Sequence, residues 1–374
     1  MPNVTIELDT TIVQSPRVQQ LTGLFDLPPT ERQIQRWQVE LPLEDWDWHI
    51  GLIVGPSGSG KSTLARHLLG PYLRDEASFA WPVDRSVVDA FPASLPITQI
   101  VELLSSVGFS SPPAWLRPFH RLSTGERFRV ALARMLAENL PFVVCDEFTS
   151  AVDRTVAQTG SAAVARTIRR LGKKFVAVTC HEDVEDWLQA DWTFRPGTRE
   201  FRRRSLQPRP AIGLEVIRVT RAAWELFRTH HYLNHELHSS ALCFVALWRG
   251  RPVAFSAWLN CLLPRNRRPA KREHRTVCLP DYQGVGIGNT LSAFCASLFA
   301  ALGFRVVSTT SHPAMIQARL RSPLWRLTRL PALGGKAPHR PQATFRHSAT
   351  RATAGFEYVG PPAEHTHLAL LEKS

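Results

Sequence analysis

From His49 to Val54 the chain is an almost unbroken apolar run, His49-Ile50-Gly51-Leu52-Ile53-Val54. A run this short and this apolar predicts a strand buried on both faces. Residues Ser62 to Leu69 follow with helical spacing of apolar positions. Apolar strands are again predicted at Phe142–Cys145 and Phe175–Cys180, with a helix at Arg127–Leu140 before the first of these. Alternation of buried strands and helices predicts a mostly parallel α/β sheet. Past residue 205 the pattern changes. A short strand (Leu214–Val219), a helix-like stretch (Arg221–Arg228) and two strands (Ala241–Trp248 and Val253–Asn260) are predicted. The last two flank Arg249-Gly250-Arg251-Pro252, a hairpin signal. A strand at Glu273–Pro280, a helix beginning at Asn289 and a strand at Arg305–Thr310 follow. The last fifty residues, rich in Arg, Pro and Thr, are expected to be partly irregular, with one late strand near Phe356–Val359.

A chain of 374 residues with 44% hydrophobic residues is long enough for two cored domains. The segment from Arg195-Pro196-Gly197 to Pro208-Arg209-Pro210 reads as an exposed basic linker. It divides an N-terminal domain, 1–204, from a C-terminal domain, 205–374. Charge divides at the same place. Residues 1–194 hold 18 Lys+Arg against 23 Asp+Glu, a net −5, whereas residues 195–374 hold 27 against 9, a net +18. Self-repulsion opposes such an excess, so it points to a polyanionic partner, of which nucleic acid is the commonest. Arg202-Arg203-Arg204 and the run Arg265 to Arg272 are the densest basic stretches. The six cysteines form no CxxC pair and read as free thiols. No apolar run approaches the ~20 residues of a membrane helix. The N-terminus lacks a basic-then-apolar signal segment, so a cytoplasmic protein is expected.

Gly55-Pro56-Ser57-Gly58-Ser59-Gly60-Lys61-Ser62 is a full P-loop between the predicted strand and helix. Backbone N–H groups of Gly55, Ser57, Gly58, Gly60, Lys61, Ser62 and Thr63 would face the phosphates of ATP. Lys61 would reach the β/γ-phosphates, and the Ser62 hydroxyl would bind Mg²⁺. The strand Phe142–Cys145 runs into Asp146-Glu147. Asp146 would hold Mg²⁺, and Glu147 would polarise the attacking water. Leu122-Ser123-Thr124-Gly125-Glu126, 23 residues before Asp146 counted from Ser123, resembles the signature of ABC-type ATPases. Ser150-Ala151-Val152-Asp153 resembles their D-loop, and His181, after an apolar strand, stands where they place a γ-phosphate-sensing histidine. The resemblance covers roughly residues 20–195. It implies an ATP-dependent homodimer in which Ser123, Gly125 and Asp153 of one copy complete the nucleotide site of the other. Thr124 departs from the usual glycine, and no convincing Q-loop is present. Only 61 residues separate Lys61 from Ser123, which implies a small helical subdomain and argues against transport.

A second glycine motif, Gln283-Gly284-Val285-Gly286-Ile287-Gly288, lies at a predicted strand-to-helix turn. Its Q-x-x-G-x-G pattern resembles motif A of the GNAT acyltransferases, an α+β fold. Glycines there let backbone N–H groups approach the pyrophosphate of acetyl-CoA or another acyl-CoA, with Gln283, Gly284, Gly286 and Gly288 forming the cradle. His230-His231-Tyr232-Leu233 before the hairpin, Arg275 in the motif strand and Ser311-His312-Pro313 after the next strand resemble the Mom-type GNAT relatives, which modify adenine in phage DNA. That likeness implies that His231, Tyr232, Arg275 and Ser311 face the acceptor. The combined expectation is an ATP-hydrolysing ABC-type ATPase followed by a GNAT-like N-acyltransferase acting on a base of DNA or tRNA. Two other readings remain open: a DNA-binding ABC clamp with a degenerate GNAT docking domain, and an ATP-regulated protein or small-molecule N-acetyltransferase.

Overall fold

The computed structural model describes residues 3–28, 32–43, 46–204, 210–233, 235–262, 269–333 and 352–372. They fall into two compact units. The first takes residues 1–75, 140–150 and 168–207, and the second takes 76–139, 151–167 and 208–374. The expected boundary near residue 205 is therefore only one of several crossings between units. Composition marks where the chain changes character, but shared core contacts decide which helices belong together.

The first unit is built on a six-stranded sheet in the order Leu73–Arg74, Phe142–Cys145, Lys174–Thr179, Ile50–Val54, Trp192–Arg195, Glu200–Arg203. The first five strands are parallel, and the last pairs antiparallel to its neighbour. Ile50–Val54 is central, and all five of its residues are buried, as its continuous apolar run requires. Ile53, Val144, Val176, Val178, Trp192 and Phe194 share one core. One carboxylate fixes the entry to the central strand. Asp191 Oδ2 accepts from the backbone N–H of His49 and of Ile50, both at 2.8 Å, while its other oxygen pairs with Arg169 at 2.8 Å. Among the described residues of this unit are also two antiparallel strands, Asn3–Thr11 and Arg32–Glu40.

The basic stretch expected as a linker is instead a hairpin. Trp192–Arg195 and Glu200–Arg203 pair in register, from Trp192 opposite Arg203 to Arg195 opposite Glu200. Three arginines of this stretch have acidic partners: Arg195 with Glu185 at 2.9 Å, Arg202 with Glu200 at 2.5 Å and Arg204 with Asp186 at 2.7 Å. Residues 205–209 lie outside the described residues.

The second unit is built on a seven-stranded sheet in the order Trp325–Leu333, Ala352–Tyr358, Arg305–Thr310, Pro269–Cys278, Arg251–Leu262, Leu242–Trp248, Glu215–Val219. Its one parallel pair is Pro269–Cys278 with Arg305–Thr310. The predicted hairpin is present. Trp248 pairs with Arg251 across Arg249 and Gly250, whose positive φ values of 52° and 74° suit a two-residue turn. The stretch read as helix-like forms two 3-10 segments, Arg221–Leu226 and Arg228–His230. Trp325–Leu333 is a strand that the Arg- and Pro-rich composition hid.

The sheet has two apolar faces. One, with Phe244, Trp258 and Phe356, packs on the helix Ile287–Ala301. The other, with Phe255, Ala257 and Val277, packs on Trp224 and Phe227. A bulge sorts the motif strand between them. Ala257 pairs with Arg275 and Trp258 with Glu273, so His274 is the extra residue. Without it, Glu273 and Arg275 would share a face. With it, they go to opposite ones, which removes the ion pair that their spacing invites.

Candidate functional site

In the first unit the P-loop and the Asp146-Glu147 strand end come together. The strand Ile50–Val54 leads into the P-loop, and the helix Lys61–Leu69 leaves it, with Gly60 at its N-cap in the left-handed region. Ser57 and Gly58 are exposed, and Ser62 and Thr63 are half-buried in the first turn. Lys61 is only 9% exposed, and its ammonium donates to the Pro56 carbonyl at 2.7 Å, curling back over the loop. Asp146 ends the neighbouring apolar strand. The Ser62 hydroxyl donates to Asp146 Oδ1 at 3.0 Å, and the Glu147 N–H donates to the same oxygen at 3.0 Å. A hydroxyl and a carboxylate oxygen this close make a hard-oxygen pair fit for Mg²⁺.

Glu147 leaves the strand end at φ 52°, unusual for a side chain of its size. Its carboxylate stays exposed and accepts from Ser150 Oγ at 2.6 Å. His181 follows the strand Lys174–Thr179, with its N–H donating to Thr179 Oγ1 at 3.2 Å.

The signature residues and Ala151–Asp153 of the D-loop belong to the second unit. Ser123 caps the helix Thr124–Leu136 through a capping box. The Glu126 N–H donates to Ser123 Oγ at 3.2 Å, and the Ser123 N–H donates to Glu126 Oε2 at 2.9 Å. Asp153 opens the helix Arg154–Leu171, its Oδ1 accepting from Thr155 N–H at 2.8 Å and Val156 N–H at 3.2 Å.

The second glycine loop departs in part from expectation. Gln283 does not turn toward a ligand. Its side-chain oxygen accepts from the Ser110 N–H at 2.7 Å, and its amide nitrogen lies 3.0 Å from Ser111 Oγ and 2.9 Å from the Cys278 carbonyl. Gly284 is equally engaged. At φ 89° it passes so close to Gly108 and Ala163 that an added Cβ would lie 2.7 Å from Gly108 Cα. The open part is Gly286; Ile287 is buried in the core, and a Cβ at Gly288 would lie 3.7 Å from Cys278. Gly286 caps the helix Ile287–Ala301 at φ 92°, with nothing within 4 Å of an added Cβ. A fifteen-residue helix thus presents its N-terminus beside backbone that a diphosphate can approach. A cavity of about 500 Å³ lies alongside, bounded by Asn289, Thr290 and Phe294 of that helix, by Ser322, and by Tyr358 and Pro361. The two parallel strands, Pro269–Cys278 and Arg305–Thr310, pair only at Ala270–Arg305, Lys271–Val306 and Arg272–Val307, so their ladder ends before Arg275–Cys278.

On the opposite sheet face the expected acceptor residues come together. Tyr232 Oη lies 3.1 Å from Ser311 Oγ, and its ring stacks on His231 at 5.1 Å between centroids and meets His312 edge-on at 5.8 Å. Arg275 donates to the carbonyls of His274 at 2.9 Å and Glu236 at 3.3 Å. His231 is 5% exposed. Burial, reinforced by Arg275 and by His274, His235 and His312, pushes its imidazole down to about 3. His231 Nδ1 accepts from the Leu233 N–H at 3.2 Å, which leaves the proton on Nε2. A neutral imidazole with that tautomer is a hydrogen-bond donor rather than a proton acceptor at neutral pH. Because the folded value lies below the unfolded one, acidification favours the unfolded chain, which takes up a proton that folded His231 refuses. Stability should therefore fall by up to about 2 kcal/mol between pH 6.5 and 5. Denaturant titration of His231→Gln against the parent at both pH values checks this. The variant should lose that much less.

The basic run divides. Residues 263–268 lie outside the described residues. Lys271 is 7% exposed, and its ammonium lies over the rings of Phe299 and Phe304, so it is packed into the fold rather than offered to phosphate. Arg272 is exposed. Sequence reading missed Arg129, Asp281 and the buried pair Arg319–Glu273, in which the charged atoms meet at 2.7 Å. Nothing local marks them. An arginine in a helix reads as a solvated position until the packing surrounds it.

No family model matches the chain. It is similar to the Fe(3+) ions import ATP-binding protein FbpC of Pseudomonas fluorescens, 31% identical over 173 residues, which is 37% of this chain and 48% of that one. It is also similar to the energy-coupling factor transporter ATP-binding protein EcfA1 of Geobacillus kaustophilus, 30% identical over 178 residues, 37% of this chain and 61% of that one. The chain thus spans about half to three-fifths of these curated relatives' length. A solved bacterial ABC transporter cassette, described as dimeric, is 19% identical over 44% of this chain and 89% of its own, with a TM-score of 0.35. An overlay that loose bears on neither assembly nor activity. The motif order and the curated relatives agree: part of this chain is similar to the ATP-binding proteins of ABC-type transporters. Among the described residues no helix is long and apolar enough to cross a membrane.

Proposed function

We propose that the chain is an ATP-hydrolysing ABC-type ATPase coupled to an acyl-CoA-dependent N-acyltransferase whose acceptor is an amine of a nucleic-acid base. The observation that carries the second activity is the strand–loop–helix at Glu273–Ala301. It combines a bulged strand, a ladder that ends early and an open Gly286 at a helix N-cap. ATP and Mg²⁺ would be held by the P-loop, Ser62 and Asp146, with the signature of a second copy completing each site in a homodimer. When bound, acyl-CoA supplies a thioester. The acceptor amine would attack its carbonyl, forming the C–N bond as the C–S bond breaks; the nitrogen would give up one proton and the leaving thiolate would take one, so that an amide and free CoA result. Tyr232, whose hydroxyl lies 3.1 Å from Ser311 Oγ, would serve as the donor to the thiolate, and His231 Nε2–H would orient the acceptor. The +18 charge of residues 195–374 supports a polyanionic acceptor, DNA or tRNA.

The test is to incubate the full-length chain with ATP, labelled acetyl-CoA and either DNA or tRNA, then to digest to nucleosides and weigh them. An acetylated nucleoside absent from a Tyr232→Phe control is expected; labelled protein or free amine instead would move the acceptor out of nucleic acid. Gly286→Asp places a carboxylate where the diphosphate would sit. Acetyl-CoA binding by the full chain should weaken by roughly tenfold or more in calorimetry, about 1.4 kcal/mol. Equal affinity would remove the loop from the binding site. The docking-domain reading also has an observation in its favour, the engagement of Gln283 and Gly284 by residues 108–111 and 163. No binding of acetyl-CoA by the parent would favour it.

A further inference from the structure

The helices opened by the signature and by the D-loop both lay their second turn on one short segment, residues 281–284. On the signature helix, a Cβ at Gly125 would lie 3.5 Å from Asp281 Oδ1, and Arg129 follows one turn on along the same face. Arg129 is 2% exposed and donates to four acceptors: the carbonyls of Val107 at 3.0 Å, Gln283 at 3.2 Å and Asp281 at 3.1 Å, and Thr159 Oγ1 at 2.7 Å. On the D-loop helix, Thr159 is wholly buried, with its Oγ1 2.8 Å from the Asp281 carbonyl, and Ala163 one turn later meets Gly284. Burial lowers the Arg129 guanidinium to about 10, with nearby Asp281 opposing the fall. It remains charged at neutral pH, so four acceptors are tied to one rigid fork.

We propose that Arg129 and Thr159 are positioning residues that join the two ATP-sensing helix ends to the glycine loop. Nucleotide-driven closure of a dimer and acyl-carrier binding then bias each other. The proposal rests on the two-activity reading above and deepens it by assigning the link. The physical route is short. Both helices are rigid rods whose N-termini carry Ser123 with Gly125 and Asp153. A shift at those ends moves the buried contacts at 129, 159 and 163. The segment they hold, 281–284, continues without interruption into Gly286–Gly288. No sliding is available at Gly284, because its backbone already touches Gly108.

The test uses the full-length chain in a Glu147→Gln background, so that ATP persists. Acetyl-CoA affinity is measured with and without ATP, and ATP affinity with and without acetyl-CoA. The two shifts should be equal, in the range of about 5- to 100-fold. Thr159→Val keeps the shape and removes the hydroxyl; it should cut the shift to within about twofold while ATP affinity in the absence of acetyl-CoA stays within about twofold of the parent. Thr159→Ser should restore the shift, which a merely structural loss would not do. Acetyl-CoA binding that ignores ATP, or an undiminished shift in Thr159→Val, overturns the link. Failure of acetyl-CoA to bind under any condition refutes the acyltransferase reading instead. In that case amide hydrogen exchange over residues 283–290 decides the link. Slower exchange on adding ATP, lost in Thr159→Val, supports it, and unchanged exchange overturns it.

Discussion

Replacing Glu147 by Gln should lower ATP turnover by roughly 100-fold or more, the usual effect of removing a positioned proton acceptor. ATP binding should persist, because nothing that holds the phosphates or Mg²⁺ changes. The geometry separates the two roles. Asp146 faces Ser62 and accepts its hydroxyl at 3.0 Å, whereas Glu147 turns away at φ 52° and keeps an exposed carboxylate. The amide oxygen of the substituted side chain can still accept from Ser150, so the local fold survives while the charge that polarises water is lost. A dimer that accumulates with ATP in this variant and not in the parent, read by light scattering, would show the composite site. Turnover at the parental rate would remove Glu147 from the chemistry, and loss of ATP binding would place it in the nucleotide cradle instead.

The second large effect is on stability. Arg319→Met should destabilise the second unit by about 3–5 kcal/mol, because it strands a carboxylate in the core. Glu273 Oε2 receives Arg319 Nη2 at 2.7 Å and the Ser308 hydroxyl at 2.5 Å, and Oε1 receives Thr276 Oγ1 at 2.5 Å. Arg319 also reaches Ser292 Oγ at 2.8 Å and lies over the Trp325 ring at 4.2 Å. Burial alone would raise the Glu273 carboxyl; Arg319 and the hydroxyls of Ser308 and Thr276 overcome it and hold the group below the usual range. With a folded value below the unfolded one, this group stabilises the fold above the ordinary carboxylate range and ceases to do so as pH falls through the folded value. Thermal unfolding of Arg319→Met should begin well below the parent at pH 7. The double variant Arg319→Met with Glu273→Gln should recover part of the loss, since no bare charge remains. A double variant no better than the single one would mean that packing on Trp325, not charge, sets the cost.

Both pairs lie where sequence and structure divide the work. The chain order alone singled out the P-loop and the Asp146-Glu147 strand end, since each needs only a strand, a loop and a helix start in sequence, but it offered no Q-loop. Apolar runs at Ile50–Val54 and Lys174–Thr179 and the glycines of each loop are local signals. The hairpin around Arg249-Gly250 and the strand Arg305–Thr310 were legible for the same reason. Tertiary structure decided the rest, because burial and partner choice are long-range. It put residues 76–139 and 151–167 with the C-terminal sheet rather than with the P-loop unit. It turned the expected linker into a hairpin, and three arginines of that stretch meet Glu185, Glu200 and Asp186. It also drew Lys271 onto two phenylalanine rings, away from any polyanion. A single bulge at His274 sent Glu273 to a buried arginine and Arg275 to the opposite face, a choice that the spacing of the two residues could not express. Sequence determined which chemical groups this protein carries and in what local frame. Only the packing determined which of them are paired, because pairing depends on distances between segments that lie far apart along the chain.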